Sequence, residues 1–373
     1  MSALVFENGT VMTGYGRTAD QLHVVDGRIV VEAPAGARYI DLGGGWLLPG
    51  FIDTQVNGGG GVLFNDEPSV AAIATIGAAH ARFGTTAFLP TLISDTLDRV
   101  DQAMRAVEQA IADGVPGVVG IHIEGPFLNP AKKGTHDASR FLTLDDAAIA
   151  LLSGLKAGRT MVTLAPEMTT PAAIRKLSAA NVIVSAGHSD ADYATMRTGF
   201  DAGVTGVTHL FNAMSPLHHR APGVVGAAIE NQEIYAGLIV DGQHVAPAAL
   251  RIALAARPRD RFMLVTDAMA SVGTDATSFT LQGKTIRIVD GVCMEEDGTL
   301  AGSALDMASA VRNAVGLLGV SIAEAAAMAA GAPAAFLSLT DRGALHPGMR
   351  ADLVWLDADL KPRGTWIGGI AAA

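Results

Sequence analysis

The sequence predicts an α/β fold: a (β/α)8 barrel of the TIM type, with a small β-sandwich domain formed by both ends of the chain. Three observations support this prediction. Eight apolar, strand-like segments alternate with helix-like segments through the middle of the chain. Short strand-and-turn patterns occupy both ends. Polar side chains that can bind a metal or transfer a proton follow most of the apolar segments, always on the same side.

The eight strand-like segments are almost continuously apolar, which is typical of parallel strands buried on both faces. Eight repeats of this kind are the number that closes a barrel. The segments lie at 46–54, 85–92, 117–125, 161–167, 181–189, 206–214, 235–242 and 261–269. Helical patterns lie between or after them at 68–82, 95–113, 143–157, 171–180, 190–202, 246–257, 304–318 and 321–330.

The ends of the chain have a different pattern from this middle part. Two-residue hairpin signals separate short alternating segments near the start, at Asn8-Gly9 and Asp26-Gly27. Strand patterns return at 352–357 and 364–369. We therefore expect residues 1–45 and 341–373 to form one small β domain, and residues 46–340 to form the barrel.

Two segments depart from a plain barrel. The β-like stretch 278–300 contains an Asp290-Gly291 turn, which predicts a β-hairpin insertion after the eighth strand. The polar stretch 126–142 predicts a long loop after the third strand. Long loops on a compact scaffold are often functional.

The composition restricts the classes of function. The 373-residue chain is 49% hydrophobic, enough for a large core, and its formal net charge is −11 without a basic stripe, which argues against nucleic-acid binding. No apolar run is long enough for a membrane helix. Cys293 is the single cysteine and the first residues lack a signal-peptide pattern, so we expect a cytoplasmic protein without disulfides.

A barrel of this kind builds its active site at the carboxyl ends of its strands. The polar residues that fall there are Gln55, Asn57, His122, Glu124, Glu167, His188, His209, Asn212, Asp241, His244 and Asp267. Each one has an ordinary structural explanation, such as a hydrogen-bonded core histidine or, for Asp267, a helix N-cap. Their joint placement at one end of the barrel favours a functional site.

Glu124, His188 and His209 offer one carboxylate and two imidazoles, the ligand set of a catalytic zinc that keeps one position open. Such a metal lowers the pKa of water to about 7 and polarises an amide carbonyl. A nearby carboxylate then takes a proton from water and returns it to the leaving nitrogen. Asp267 is the best candidate for this acid–base group. Zinc suits the ligands, and Fe²⁺, Mn²⁺ or Co²⁺ would also fit them.

The first strand carries an unusual pair of residues. In a large group of two-metal hydrolases this position holds His-x-His, whereas here it holds Gln55 and Asn57, which are weak metal ligands. We therefore expect one divalent metal per subunit, with Gln55 or Asn57 hydrogen-bonded to water or substrate. The alternative is that both amides only satisfy polar groups at the barrel mouth.

At these residues the sequence resembles the amidohydrolase superfamily and, within it, the deacetylases of N-acetylglucosamine 6-phosphate. The resemblance covers nearly the whole chain. The motifs that carry it are PGFIDTQVNG (49–58), HIEGPFLNPAKKGTH (122–136), AGHSDA (186–191), THLFNAM (208–214), DGQH (241–244), TDAM (266–269), TLAGS (299–303) and GALHPGMRADLVWLD (343–357).

The resemblance implies a homodimer that removes acetate from N-acetylglucosamine 6-phosphate. It implies metal binding by Glu124, His188 and His209, acid–base catalysis by Asp267, and stabilisation of the oxyanion by His136. Arg220 and His244 would serve the phosphate, with some contacts from the neighbouring subunit. The full set of substrate-binding residues expected is Gln55, Asn57, Thr135, His136, Asn212, Ala213, Arg220, Asp241, His244, Leu300, Ala301 and Gly302.

Several alternatives remain at this stage. The substrate could carry N-acetylgalactosamine, the epimeric amino sugar, or the chain could hydrolyse a cyclic amide, although such hydrolases usually keep two metals. A non-catalytic barrel is a third alternative, but such relatives typically lose metal ligands or the aspartate of the eighth strand. Lys132 and Lys133 are interpreted as a solvated loop face rather than as phosphate ligands.

Overall fold

Eight parallel strands form the centre of the molecule in the computed structural model, which describes residues 2–14 and 16–372. Each strand pairs with its neighbour in sequence order. The strands, numbered one to eight, are Phe51–Val56, Thr85–Ile93, Gly120–Glu124, Arg159–Leu164, Ile183–Ala186, Val204–Val207, Tyr235–Leu238 and Phe262–Leu264. The predicted (β/α)8 barrel is confirmed.

The seam between strands eight and one is closed by a few contacts beyond the regular ladders. The backbone N–H of Asp267 donates to the carbonyl of Gln55 at 3.0 Å, and Val56 and Ala268 form a parallel bridge. The barrel wall is therefore held together beside two of the predicted site residues.

Helices cover the outside of the barrel and bury apolar residues against the strands. Their bounds are Val70–Ala81, Leu97–Ala112, Asp146–Leu152, Pro171–Ala179, Tyr193–Ala202, Gly223–Glu230, Pro247–Ala256, Met307–Leu318, Ile322–Ala326 and Ala332–Phe336, the last two joined by a π-helical turn, Ala327–Gly331. Short 3-10 turns lie at Pro130–Lys132, Ala138–Arg140, Pro166–Met168 and Arg259–Arg261. The helix Gly223–Glu230 was not predicted, because its two glycines and two valines are weak helix formers.

The first predicted strand, 46–54, is in fact two strands. Trp46–Pro49 pairs with Thr10–Gly14 and Leu353–Leu356, in a sheet formed by the chain ends, and Phe51–Val56 enters the barrel. Gly50 lies between them, where a Cβ would come within 2.2 Å of Thr86 Oγ1. The run is buried in both sheets, so its apolar pattern could not reveal the change of sheet.

The chain ends form two sheets that share a hydrophobic core. One contains, in order, Arg28–Val30, Leu22–Val25, Ala3–Glu7 and Arg38–Asp41, and the other Ile370–Ala371, Pro362–Ile367, Leu353–Leu356, Trp46–Pro49, Thr10–Gly14 and Arg17–Ala19. The rings of Phe6 and Trp366, one from each sheet, meet edge to face at 4.8 Å. A β-rich unit built from both ends is confirmed, whereas the exact division at residues 45 and 341 stays a prediction.

The predicted hairpin insertion is a four-stranded antiparallel sheet: Ser278–Leu281, Lys284–Val289, Val292–Met294 and Leu300–Ser303. The sequence pattern predicted only the Asp290-Gly291 turn of this sheet. A second turn lies at Gln282-Gly283, where both residues have positive φ, of 48° and 82°. A short two-stranded sheet, Gly58–Gly59 with Val62–Leu63, also follows strand one. Within the described residues no helix combines the length and apolarity needed to cross a membrane.

Candidate active site

Three predicted metal ligands converge at the carboxyl ends of strands three, five and six. Glu124, His188 and His209 are buried, and one ligand atom from each lies within 4.8 Å of the other two. Oε1 of Glu124 is 3.1 Å from Nε2 of His188 and 3.0 Å from Nε2 of His209, and the two Nε2 atoms are 3.2 Å apart. The three side chains are therefore close enough to bind one common ion.

The hydrogen bonds around His188 fit a cation at that point. Nδ1 of His188 lies 2.8 Å from the carbonyl oxygen of Lys132. A carbonyl only accepts, so Nδ1 carries a proton and Nε2 is the ring nitrogen that faces the Glu124 carboxylate. A divalent ion bound between the three ligand atoms would take the place of the protons that link the two Nε2 atoms to Glu124.

The electrostatics of the three ligands agree with this. Burial alone would raise the pKa of Glu124, but hydrogen bonds from His188 and His209 outweigh it and hold the pKa well below its usual range. For His209, burial acts to lower the pKa, but the hydrogen bond to Glu124 and the charges of Glu124 and Asp267 together outweigh it and raise the pKa. The carboxylate is therefore charged and ready to bind a cation.

Asp267 faces the metal ligands from the end of strand eight. Its Oδ1 accepts a hydrogen bond from Nδ2 of Asn57 at 2.7 Å and from Nε2 of Gln55 at 3.0 Å. Burial, followed by the charge of Glu124, raises the pKa of Asp267 to about 6. A carboxyl group with a pKa close to neutrality can both take up and release a proton.

Backbone strain is concentrated at this site. His188, His209 and Asp267 have positive φ angles of 48°, 34° and 53°, a region that non-glycine residues seldom adopt. Phe211 and Ala213, in the loop after His209, share this feature, with φ of 81° and 49°. Such strain persists only where surrounding contacts enforce it, and it is typical of functional sites.

The converging residues open into a cavity with about 650 Å³ of space, part of it continuous with solvent. Most of the predicted site residues line it. They are Asn57, Glu124, Thr135, His136, His188, His209, Asn212, Ala213, His244, Asp267, Leu300 and Gly302.

His136 is held in one tautomer within the cavity. The backbone N–H of Ser94 points at its Nδ1 at 3.4 Å, and the Ser94 hydroxyl lies 2.8 Å from the same atom. Because the backbone N–H can only donate, Nδ1 is an acceptor and Nε2 carries the ring proton. Burial lowers the pKa of His136 to about 3, so the ring stays neutral and acts as a hydrogen-bond donor.

His244 is oriented by Asp241. Its Nδ1 lies 2.6 Å from Oδ2 of Asp241, while Oδ1 of Asp241 accepts from the backbone N–H groups of Gln243 and His244. Burial acts to raise the pKa of Asp241, but the hydrogen bonds from His244 and Gln243, together with the electrostatic attraction to His244, outweigh it and lower the pKa. Asp241 does not line the cavity itself, so the structure places it behind His244.

Four predicted substrate-binding residues do not line the cavity: Gln55, Arg220, Asp241 and Ala301. Ala301 and Gln55 are both buried. Arg220 is exposed and borders a separate surface depression, together with His218. Among the described residues that line the cavity, none is a lysine or an arginine.

Comparison with known proteins shows where this arrangement belongs. Residues 46–371 match the model of the Amidohydrolase family. The chain belongs to the amidohydrolase family.

Several known proteins resemble this amidohydrolase over nearly its full length. The N-acetylgalactosamine-6-phosphate deacetylase of Shewanella sp. (strain ANA-3) is 43% identical, covering 91% of this chain and 86% of that one. The crystal structure of N-acetylglucosamine-6-phosphate deacetylase from Pasteurella multocida superposes with a TM-score of 0.95 at 33% identity, covering 100% of both chains. The Mycobacterium smegmatis enzyme, an aspartate-to-alanine mutant in complex with N-acetyl-D-glucosamine-6-phosphate, superposes with a TM-score of 0.92 at 33% identity, covering 100% of this chain and 99% of that one.

In this amidohydrolase the strand-one amides bind carboxylates. Nε2 of Gln55 lies 3.2 Å from both carboxylate oxygens of Glu124, in addition to its bond to Asp267. Asn57 donates to Asp267 alone. Gln55 therefore connects the predicted metal ligand Glu124 to the acid–base candidate Asp267, and Asn57 supports Asp267 from a second position.

Several residues of this site were not predicted from the sequence. Ile93, Gly134, Ile239 and Met269 line the cavity, and Ser94 orients His136. Ile93 ends strand two and Met269 lies in the motif at 266–269, so the sequence already placed both residues at the barrel mouth. Their side chains are apolar and so gave no indication of a role in catalysis or binding. The hydrogen bond between Ser94 and His136 joins residues 42 positions apart, which no local pattern could predict.

Proposed function

We propose that this chain is a metal-dependent deacetylase that hydrolyses N-acetyl-D-glucosamine 6-phosphate to D-glucosamine 6-phosphate and acetate, in the catabolism or recycling of amino sugars. One observation carries this proposal: Glu124, His188 and His209 meet at one point, with Asp267 across from them, in the cavity of a chain that belongs to the amidohydrolase family. The relatives described above act on phosphorylated N-acetyl amino sugars according to their names, which supports this choice of substrate.

The proposed cofactor is one divalent metal per subunit, with Zn²⁺ as our choice. Two imidazole nitrogens and one carboxylate oxygen suit zinc, although Fe²⁺, Mn²⁺ and Co²⁺ accept the same ligands. A divalent ion there supplies Lewis acidity that polarises the amide carbonyl and acidifies water. A second strong site is unexpected, because Gln55 and Asn57 replace the imidazoles that it would need.

Asp267 would carry the proton from water to the leaving group. The amide carbon gains a bond to the oxygen of water, whose proton passes to the carboxylate. The carbon–nitrogen bond then breaks, and Asp267 returns the proton to the amine, which leaves poorly when unprotonated. The protonated Nε2 of His136 would donate to the carbonyl oxygen as negative charge develops there.

The phosphate of the substrate would bind near His244, which lines the cavity. Because none of the described cavity-lining residues is a lysine or an arginine, we propose that a homodimer completes the site and that Arg220 of one subunit reaches the phosphate held by the other. The forked guanidinium of arginine suits bidentate phosphate binding. Lys132 and Lys133 lie outside the cavity lining, and Lys132 pairs with Asp190 at 3.3 Å.

N-acetylgalactosamine 6-phosphate is a second candidate substrate. The Shewanella relative named for it is more similar to this chain, at 43% identity, than either solved N-acetylglucosamine-6-phosphate deacetylase described above. The two sugars differ only in configuration at one ring carbon, and both would present the same amide and phosphate. We also retain the cytoplasmic location, because the only cysteine, Cys293, is buried as a free thiol, which suits a reducing compartment.

The proposal is tested by metal analysis of the purified protein and by acetate release from matched substrates. The panel contains both N-acetylated hexosamine 6-phosphates and both unphosphorylated sugars. We expect about one metal ion per chain and the highest kcat/KM on N-acetylglucosamine 6-phosphate. Faster release from the galactosamine compound would favour the second candidate, and release from neither would overturn the proposed function.

A further inference from the structure

Glu167, at the end of strand four, lies outside the cavity lining but is fully engaged by hydrogen bonds. Oε1 of this half-buried carboxylate accepts from Nδ2 of Asn129 at 2.8 Å and from the backbone N–H of Asp190 at 2.7 Å. Oε2 accepts from the hydroxyl of Ser189 at 2.7 Å. One carboxylate thus ties the long loop after strand three to the loop that carries His188.

The first connection leads from Glu167 to the ring of His188 through Asn129. Asn129 begins the 3-10 turn Pro130–Lys132, and its Oδ1 accepts from the backbone N–H of Ala131 at 2.9 Å. The carbonyl of Lys132, at the end of that turn, accepts the proton of His188 Nδ1 at 2.8 Å. The position of this acceptor therefore depends on the anchoring of Asn129 by Glu167.

The second connection holds the backbone on both sides of His188. The backbone N–H of Asn129 donates to the carbonyl of His188 at 3.0 Å, while Glu167 binds the hydroxyl of Ser189 and the N–H of Asp190. These contacts surround a residue whose φ is 48°. A residue other than glycine keeps this conformation only where neighbouring contacts hold it.

We propose that Glu167 is a positioning residue for the metal centre, acting on His188 through Asn129 and Ser189. The partner of a ligand histidine's second nitrogen fixes the ring tautomer and orientation and raises the basicity of the ligating nitrogen. Here that partner is the carbonyl of Lys132, and Glu167 holds the turn that presents it. The inference rests on the metal site of the proposed function.

The test is the affinity of the intact protein for Zn²⁺, measured as the metal retained by the loaded enzyme against graded chelator. Loss of such supporting contacts typically weakens metal binding by roughly 10- to 100-fold, and we expect this for Glu167→Ala. Glu167→Gln keeps an oxygen for Asn129 and Asp190, so its affinity should stay close to that of the wild type. Glu108→Ala is the matched control, because Glu108 is also half-buried and accepts a backbone hydrogen bond, from Lys156, far from the site.

Two further variants keep the test decisive if Glu167→Ala does not fold. Asn129→Ala breaks the first connection and Ser189→Ala part of the second, and each should weaken Zn²⁺ retention. A purely structural role would lower the unfolding temperature of the metal-free protein and leave Zn²⁺ affinity unchanged. That result would overturn the inference while the proposed function stands, whereas a wild-type protein that retains none of Zn²⁺, Fe²⁺, Mn²⁺ and Co²⁺ would overturn both.

Discussion

The side-chain nitrogen of Gln55 lies 3.0 Å from Oδ1 of Asp267, and the same nitrogen lies 3.2 Å from both oxygens of Glu124. One neutral donor therefore separates the carboxylate proposed to bind the metal from the one proposed to transfer protons. The charge of Glu124 still acts across this donor and helps burial to raise the pKa of Asp267.

Replacing Asp267 by asparagine should reduce kcat by roughly 100- to 10,000-fold, the usual contribution of a general acid–base group. The metal content should stay near one per chain, because Asp267 is not among the three converging ligands. Steady-state kinetics and metal analysis on the same preparation check this. Wild-type turnover in Asp267→Asn would remove this residue from the acid–base role.

The acid limb of the kcat/KM profile should report the pKa of Asp267, which burial raises to about 6. Below that pH the carboxylate is protonated and cannot take a proton from water, so activity should fall as the pH falls. The hydrogen bond from Asn57 favours the charged form, so Asn57→Leu should move this limb to higher pH by about one unit. Metal content measured at each pH separates this effect from loss of the ion, and an unmoved limb would contradict the assignment.

Asp241→Asn should weaken substrate binding more than it slows the chemical step. The change removes the negative charge of Asp241, whose Oδ2 lies 2.6 Å from Nδ1 of His244 and fixes the tautomer of that ring. We expect KM to rise about tenfold, as for loss of one charged hydrogen bond, with a smaller change in kcat. His244→Ala shows how far KM rises when the imidazole itself is lost, and the effect of Asp241→Asn is compared with it. A variant that loses kcat and keeps KM would show that this pair serves the reaction centre instead.

Arg220→Ala should raise KM for the phosphorylated sugar far more than for the unphosphorylated one. Subunit mixing then distinguishes the two ways in which Arg220 could act. If it acts across a dimer, mixing Arg220→Ala with Asp267→Asn subunits should restore activity, because one site of the mixed dimer has both residues intact. Each variant mixed with itself is the control. No recovery in verified mixed dimers would place Arg220 in its own subunit's site.

Asp53 should make the stability of the metal-free protein depend on pH. Burial raises the pKa of this carboxyl to about 7, and its partners include the hydroxyl of Thr266 at 2.5 Å and the backbone N–H of Gln55 at 3.1 Å. Between about pH 4 and 7 the folded state therefore holds a proton that the unfolded state has lost, so the unfolding free energy should decrease as the pH rises through this window. Denaturant titrations should show a loss of several kcal/mol, at about 1.4 kcal/mol per pKa unit. Asp53→Asn should flatten the curve, and an identical slope in both proteins would contradict this assignment.

Much of the site could be predicted because the barrel places the carboxyl end of every strand at one mouth. Glu124, His188, His209 and Asp267 each follow an apolar run, so the topology alone brings them to the same face. The strand pattern also predicted the β-rich unit at the chain ends. It did not show the change of sheet at Gly50, because both strands of that run are buried.

The sequence by itself determined the class of fold, the chemical types at the barrel mouth and the weakness of a second metal position, since these depend on local pattern and residue identity. Only the tertiary structure decided that Gln55 connects two carboxylates, that Asp241 stands behind His244, and that Arg220 lies away from the cavity of its own chain. These relationships join residues far apart in sequence, and distances of a few ångströms decide which groups share a hydrogen bond. No pattern along the chain records such distances.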